Sequence, residues 1–165
     1  MEMPRTARIF SLLALCSGLL GCDHATKLVA ERDLGAGRVV TVVPDLLELR
    51  YARNHDIAFN ALSRWDFPGK SALLAAFGLI VLAAAVAMWI RHRRRSVSRV
   101  TVDDVGFAFV VAGAIGNVAD RLLRGYVVDF IHVSHWPVFN VADACLVVGL
   151  IALGLSRSRT RAAPS

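Results

Sequence analysis

The chain has 165 residues, of which 56% are hydrophobic and 19% are charged, and its formal net charge is +6. Soluble domains usually have about 45–50% apolar and about 25% charged residues, so this composition argues against disorder, a fibrous repeat and an ordinary soluble enzyme. In so apolar a chain, excess positive charge is more typical of cytoplasmic loops than of nucleic-acid binding. The three cysteines, Cys16, Cys22 and Cys145, form no CxxC pattern, which indicates neither a disulfide framework nor a zinc site.

The first apolar run, Ile9 to Cys22, continues helically through Asp23 and Lys27, and predicts a membrane helix over about 8–29. A competing interpretation is a cleaved lipoprotein signal peptide, because Leu-Leu-Gly precedes Cys22. Three further apolar segments follow, whereas a lipoprotein is normally a soluble domain tethered by lipid. We therefore expect the segment to remain as a spanning helix.

An insertion at about 31–69 separates the first two spans. Gly37 to Val43 is β-branched and Leu47 to Tyr51 alternates apolar with polar residues, with a turn signal at Pro44-Asp45 between them. This pattern predicts a small β-sheet on the outer membrane surface. Asn60 to Phe67 is predicted to form a short interfacial helix.

Three more apolar segments predict spanning helices at about 70–91, 103–122 and 138–156. The first of them includes Ser71 to Ile90, twenty residues without a charge, which at about 1.5 Å per residue match the thickness of the hydrocarbon core. The expected fold is an all-α membrane protein in one integral domain, 1–165, with four transmembrane helices, the extracytoplasmic β-sheet and the interfacial helix.

Basic residues set the predicted orientation. They precede the first helix, fill residues 91–95 after the second and follow the fourth, which are all on one side of a four-helix topology. Basic loops remain in the cytoplasm, so both termini are predicted to be cytoplasmic.

Two Asn-x-x-Asp pairs interrupt the last two apolar segments, Asn117 with Asp120 and Asn140 with Asp143. Residues three apart share a helix face, and the topology places both pairs in the outer leaflet on antiparallel helices. Intramembrane ionisable groups are costly and indicate function. The alternatives are interhelical hydrogen bonds that stabilise the bundle, or a proton relay in a small transporter. A relay is disfavoured because the cytoplasmic halves of the helices lack acidic groups, apart from Asp103 and Asp104 at the very edge.

Two carboxyl groups close together in a low dielectric share one proton and titrate as a unit. Aspartic proteases use this arrangement, in which one Asp activates water and the other polarises the peptide carbonyl. The paired Asp120 and Asp143 therefore favour peptide hydrolysis over a purely structural role.

At these residues the chain resembles signal peptidase II, the bacterial lipoprotein signal peptidase. The resemblance lies in four motifs in the family's order and covers nearly the whole chain: Asp23-His24-Ala25-Thr26-Lys27, Gly116-Asn117-Val118-Ala119-Asp120-Arg121, Val127-Val128-Asp129-Phe130 and Phe139-Asn140-Val141-Ala142-Asp143.

The resemblance implies an aspartic endopeptidase of the bacterial inner membrane with its site near the outer leaflet. Such an enzyme cleaves prolipoproteins just before a cysteine that carries diacylglycerol, and it needs no metal or cofactor. The implied partners are lipidated prolipoproteins and membrane lipids, with no nucleic acid, and the expected state is a monomer. The implied catalytic dyad is Asp120 and Asp143. The implied supporting or substrate-binding residues are Asp23, Lys27, Asn54, Asn117, Arg121, Asp129, Asn140 and Ala142.

The chain departs from the family pattern NxGxAF, because Asp56 stands where glycine is expected after Asn54. This departure leaves open a binding homologue with altered or impaired catalysis, although the intact dyad favours activity. Asp129 is expected to cap a helix or to pair with a basic residue such as Arg121. A metal site formed by Asp129 with His132 and His135 is disfavoured, because no further ligands cluster nearby.

Overall fold

The computed structural model describes residues 4–55, 67–95 and 100–162. These residues form four helices and three strands. In chain order they are α1 (Arg5–Leu34), β1 (Val39–Val43), β2 (Leu47–Asn54), α2 (Lys70–Arg95), α3 (Val102–Arg124), β3 (Val127–Val133) and α4 (Val141–Ala162).

Three helices in the described residues are long and apolar enough to cross a membrane: Thr6–Leu34, Lys70–Arg93 and Val102–Arg124. The apolar part of the last helix, Val141–Ser156, is shorter. The protein is therefore a mostly helical, multi-pass membrane protein.

Helix α3 is the centre of the helical bundle and packs against α1, α2 and α4. In the most apolar 18-residue stretch of each helix, 56% of α3 is buried inside the protein, against 11% of α1 and 17% of α2. The apolar side chains of α1 and α2 therefore remain largely outside the protein core, as expected of surfaces that face lipid. Close approach of α3 to α4 needs small residues, since a Cβ on Gly149 would lie 2.7 Å from the Gly106 carbonyl oxygen.

Helix α3 has well-defined ends. At its start, Thr101 and Asp104 form a reciprocal capping box, which satisfies exposed helix N–H groups. The buried Asp104 carboxylate also accepts hydrogen bonds from Trp89 Nε1 at 3.1 Å and Arg93 Nη1 at 3.2 Å, which fastens α2 to α3. At its end, Gly125 adopts φ 80°, a left-handed conformation that glycine takes without steric cost.

The predicted small sheet is confirmed, and it contains a strand that the sequence interpretation missed. Strands β1 and β2 form the expected hairpin, and β3 adds to β2 in the antiparallel order β1-β2-β3. Strand β3 comes from the segment between α3 and α4. The β2–β3 register pairs Ala52 with Asp129 and Asn54 with Val127, so the sheet brings Asn54 beside Asp129.

Each predicted helix differs from the structure at one or both ends, and two of these differences bear on the site. Helix α1 continues to Leu34, so the insertion begins later than residue 31. Helix α4 begins at Val141 rather than at 138, because Phe139 pairs in an extended conformation with Ile131 and Asn140 caps the helix. Residues 60–66 of the predicted interfacial helix lie outside the described residues.

Candidate active site

The site is assembled around Asn140, whose side chain is fully buried. Its Oδ1 accepts a hydrogen bond from the Asp143 backbone N–H at 2.9 Å, which is the geometry of a helix N-cap. Its Nδ2 donates to Asp129 Oδ1 at 2.6 Å and to Asn117 Oδ1 at 3.2 Å. One amide therefore joins α4, β3 and α3 at the same point.

Asp129 lies on β3 and is only 2% exposed. Its carboxyl group accepts hydrogen bonds from Asn140 and, at 2.8 Å, from Asn54 Nδ2 on the neighbouring strand. These partners are amides rather than the basic residue that the sequence interpretation expected. Burial, and after it the negative charge of Asp143, raise the pKa of Asp129 to about 7. Asp129 therefore holds a proton at pH values where an ordinary Asp is ionised.

Asp143 lies in the first turn of α4, on the helix face that meets α3. Its Oδ1 accepts a hydrogen bond from Asn117 Nδ2 at 2.7 Å, and its Oδ2 accepts one from the Asn140 backbone N–H at 3.3 Å. The two Asn-x-x-Asp pairs therefore meet, as the sequence pattern suggested. The contact that joins them is from Asn117 to Asp143.

A second buried cluster surrounds Lys27, which is 1% exposed. Its Nζ lies 2.8 Å from Asp23 Oδ2 and 2.9 Å from Asp120 Oδ2, and it donates to Asn117 Oδ1 at 3.4 Å. Asp23 Oδ1 in turn accepts a hydrogen bond from the Ala142 backbone N–H at 2.9 Å. The cluster thus connects α1 to α3 and to the start of α4, directly behind the Asn117–Asp143 contact.

Asp120 is surrounded by donors and cations. Besides Lys27, its carboxylate lies 3.6 Å from Arg124 Nε and accepts a hydrogen bond from the Val128 backbone N–H at 3.3 Å. These partners are two cations and a backbone N–H group, whereas a shared-proton dyad requires a second carboxyl group as the partner. The sequence interpretation placed Asp120 opposite Asp143, but the structure places Asn117 between them, in contact with both Asp143 and the Lys27 cluster.

Arg121, also on α3, donates from Nη1 to the Asn117 backbone carbonyl at 3.3 Å. It lies on the wall of a cleft of about 330 Å³ between α2, α3 and α4. Asn54, Asn117 and Asp143 contribute the polar part of this wall. The rest is mostly apolar, and includes Leu74, Phe77, Val81, Val118, Leu146 and Val147. A cleft of this kind accommodates a hydrocarbon chain, and the Asp143 carboxyl group faces the part of the ligand to which that chain is attached.

The structure gathers every residue proposed for the site from the sequence into two adjoining clusters. The sequence interpretation did not expect Asp129 to be buried on a strand between Asn54 and Asn140. A signal was present, since Asp129 interrupts the apolar strand pattern of Val127, Val128 and Phe130. Among the residues that the structure describes, no group of three or more His, Cys, Asp and Glu side chains is arranged to hold a metal ion. Asp56 lies outside the described residues.

The fold and site define a class: a multi-pass membrane protein in which the partly buried Asp143 carboxyl group lines an apolar cleft, beside clusters of buried charged and polar side chains. Residues 15–158 match the family model described as signal peptidase (SPase) II. The chain is 36% identical to a lipoprotein signal peptidase of Geobacter metallireducens, over 95% of this chain and 94% of that protein. It is 35% identical to a lipoprotein signal peptidase of Pseudomonas putida, over 98% of this chain and 95% of that one.

The structure is also similar to a solved structure described as a bacterial membrane enzyme. The TM-score is 0.81 at 26% identity, and the likeness covers 93% of this chain and 91% of the other. The chain therefore belongs to the signal peptidase II family of aspartic endopeptidases, which confirms the resemblance found in its motifs.

Proposed function

We propose that this protein removes the signal peptide from prolipoproteins that already carry diacylglycerol, and that it cleaves just before the lipidated cysteine. Membership of the signal peptidase II family supports the reaction. The single observation that carries the assignment is the partly buried carboxyl group of Asp143 at the wall of an apolar cleft, with Asp129 connected to it through Asn140. The cleft suits the acyl chains, and the carboxyl groups suit the peptide bond beside them.

We infer that the catalytic pair is Asp129 with Asp143, and that Asp120 stabilises the site as part of the Lys27 cluster. Two observations support this revision of the pair expected from the sequence. The charge of Asp143 acts on Asp129 and helps to raise the pKa of Asp129 to about 7, as expected when two carboxyl groups share a proton. Asp120, in contrast, is already neutralised by Lys27 and lies close to Arg124.

In the proposed mechanism Asp129 carries the shared proton and Asp143 is ionised. Asp143 removes a proton from a water molecule, whose oxygen attacks the carbonyl carbon of the scissile peptide. Protonated Asp129 donates a hydrogen bond to the carbonyl oxygen and stabilises the negative charge that develops there. The proton taken up by Asp143 then passes to the leaving amine, the C–N bond breaks, and the pair is left with one proton again.

The amides around the pair hold the geometry for these steps. Asn54 and Asn140 fix both oxygens of Asp129, and Asn117 and the Asn140 backbone fix both oxygens of Asp143. Since each carboxyl group is restrained from two directions, little reorganisation is needed when charge develops. Arg121 lies at the edge of the cleft, where its charge suits a polar part of the lipidated substrate.

We further propose a single domain with four spans, both termini cytoplasmic and the site near the outer leaflet of the bacterial inner membrane. The basic residues at the end of α2 support this orientation. The apolar part of α4 is the shortest of the four, so the bilayer or flanking residues must adjust to it. The proposed enzyme acts as a monomer, is surrounded by membrane lipids and has an interfacial helix at 60–67.

The test of this function is cleavage of a defined substrate by the purified protein. A diacylglyceryl-modified prolipoprotein is expected to yield the free signal peptide and a product that begins at the lipidated cysteine, as identified by mass spectrometry. The same prolipoprotein without the lipid is the matched substrate control, and Asp143→Asn is the inactive enzyme control. Equal cleavage of both substrates, or product from Asp143→Asn at the wild-type rate, would contradict the proposal.

A further inference from the structure

A second apolar cavity lies on the other side of the sheet from the catalytic cleft. It has a volume of about 420 Å³ and is enclosed by the outer end of α1 and by the sheet. Successive side chains of a strand point to opposite faces, and on β3 Asp129 contacts the active-site amides whereas its neighbour Phe130 lines this cavity. We call it the rear groove, and its wall includes Ala25, Val29, Ala30, Val40, Leu49 and Phe130.

The rear groove offers no hydrogen bond to a polar ligand along its apolar wall. Thr26 contributes a hydroxyl group to the lining, but this group already donates within α1 to the backbone carbonyls of Cys22 at 2.7 Å and Asp23 at 3.0 Å. The floor is rigid, because Ala30, Leu34 and Phe130 are buried in one hydrophobic cluster. Its volume lies within the range of about 300–1,000 Å³ typical of ligand cavities. The chemistry of the groove therefore suits a hydrocarbon chain.

The groove also opens onto the surface of α1 that faces the bilayer. Val29 at its edge is 52% exposed, Leu28 beside it is 46% exposed, and Val40 on the sheet is 36% exposed. Exposed apolar residues on the outer part of a spanning helix contact the acyl chains of the outer leaflet. The groove is thus continuous with an exposed apolar surface of α1.

Two arginines lie close to the polar end of the groove, although neither lines it. Asp33 is the charged residue of the lining, it is paired with Arg32 at 2.7 Å, and Arg38 is close enough to act on the same carboxylate. The two guanidinium groups outnumber the one carboxylate beside them, so they can accept a phosphate at this end of the groove. An apolar groove with two arginines beside its polar end matches the two parts of a phospholipid.

We propose that the rear groove binds one acyl chain of a bilayer phospholipid, with the phosphate near Arg32 and Arg38. The bound chain packs against Phe130 and supports β3 from the side opposite to Asp129. The occupant is a membrane lipid rather than the diacylglyceryl group of the substrate, because the groove and the catalytic cleft lie on opposite faces of the sheet. Binding requires no turnover, so it is independent of the function proposed above.

The experiment uses the full-length protein in vesicles of phosphatidylethanolamine and phosphatidylglycerol. A trace of phosphatidylglycerol with a photoreactive diazirine in one acyl chain labels the sites that acyl chains occupy, and peptide mass spectrometry locates the label. We expect the label to concentrate in residues 25–34 and 39–49. Labelling spread along α1 in proportion to exposure, with no enrichment at these residues, would overturn the proposal.

Two variants block the groove by different means, and each has a matched control. Ala25→Phe fills the groove from its exposed edge, whereas Ala14→Phe adds the same bulk to an exposed position elsewhere on α1. Val40→Asp places a charge against the chain, whereas Val39→Asp places it on the neighbouring exposed residue, which does not line the groove. We expect about tenfold less labelling of the groove in Ala25→Phe and in Val40→Asp than in the wild type. The two control variants are expected to be labelled as strongly as the wild type.

Equal labelling of blocked and control variants would contradict the proposal. Addition of lipidated prolipoprotein to the Asp143→Asn protein distinguishes the two sources of acyl chain. The label in the groove is expected to remain when the substrate is bound in the cleft. Displacement of the label by the substrate would assign the groove to the substrate and overturn the choice of a bilayer lipid.

Discussion

The titration of Asp129 predicts a pH dependence of the protein's stability. Its pKa in the folded protein is about 7, against an ordinary value of 3.8. Between pH 6 and pH 8 the unfolded chain has this group ionised, whereas the folded protein loses a proton from it. At the lower end of this range the folded state binds more protons than the unfolded state does. The free energy of unfolding therefore falls as the pH rises through 7.

For one group with these values, the loss between pH 6 and pH 8 is about 1.4 kcal/mol. In a chain of this size such a change corresponds to a Tm lower by about 3–6 °C. The assay is thermal unfolding in detergent across this pH range, for the wild type and for Asp129→Asn. The variant has no proton to lose here and is expected to lack this part of the decline.

Asp45→Asn is the matched control, because Asp45 is exposed in the β1–β2 turn and its φ of 57° is one that Asn tolerates. It is expected to keep the wild-type decline. Asp143→Asn removes the neighbouring negative charge that raises the pKa of Asp129, and should move the decline to lower pH. An identical decline in the wild type and Asp129→Asn would refute the assignment of a raised pKa to this carboxyl group.

The remaining predictions concern catalysis and the Lys27 cluster. The rate constant kcat/KM should fall about tenfold per pH unit as the pH rises above about 7, because Asp129 then loses the shared proton; a flat alkaline limb would contradict this. Lys27→Met should cost at least about 3–5 kcal/mol in unfolding measurements, since Asp23 and Asp120 are left as buried charges without their common cation; wild-type stability would contradict it. Gly116→Ala should cost about 1–3 kcal/mol, because its Cβ would lie 2.6 Å from Asp23 Oδ2. Gly18→Ala, with no atom within 4 Å of the new Cβ, is the control and should not destabilise.

The parts of the structure that depend on local pattern could be predicted from the sequence. The uncharged run from Ser71 to Ile90 predicts α2, and the β-branched run before Pro44-Asp45 predicts the β1–β2 hairpin. The start of α4 was also encoded locally, because Pro137 and a capping Asn140 three residues before Asp143 are typical of a helix N-terminus. The apolar character of Val138 and Phe139 obscured that signal.

The contacts of Asp129 could not be predicted by the same reasoning, because they depend on pairing between distant segments. Strand β3 comes from a short loop and joins β2, whose Asn54 is 75 residues away from the Asp129 that it contacts. Spacing along α3 places Asp120 one turn from Asn117. This spacing alone does not show that Lys27 from α1 occupies the space beside Asp120.

The most direct test of the central claim is the rate of cleavage of one diacylglyceryl-modified prolipoprotein by Asp129→Asn, Asp143→Asn and Asp120→Asn. All three are compared at equal concentrations of folded protein, as judged by their unfolding transitions. Asp129→Asn and Asp143→Asn are predicted to be slower than the wild type by at least about a thousandfold, because each removes one half of the proton exchange. Asp120→Asn is predicted to be less stable but to stay within about a hundredfold of the wild-type rate, because Lys27 keeps Asp23 as a partner. Loss of cleavage in Asp120→Asn together with near-normal cleavage in Asp129→Asn would contradict the account.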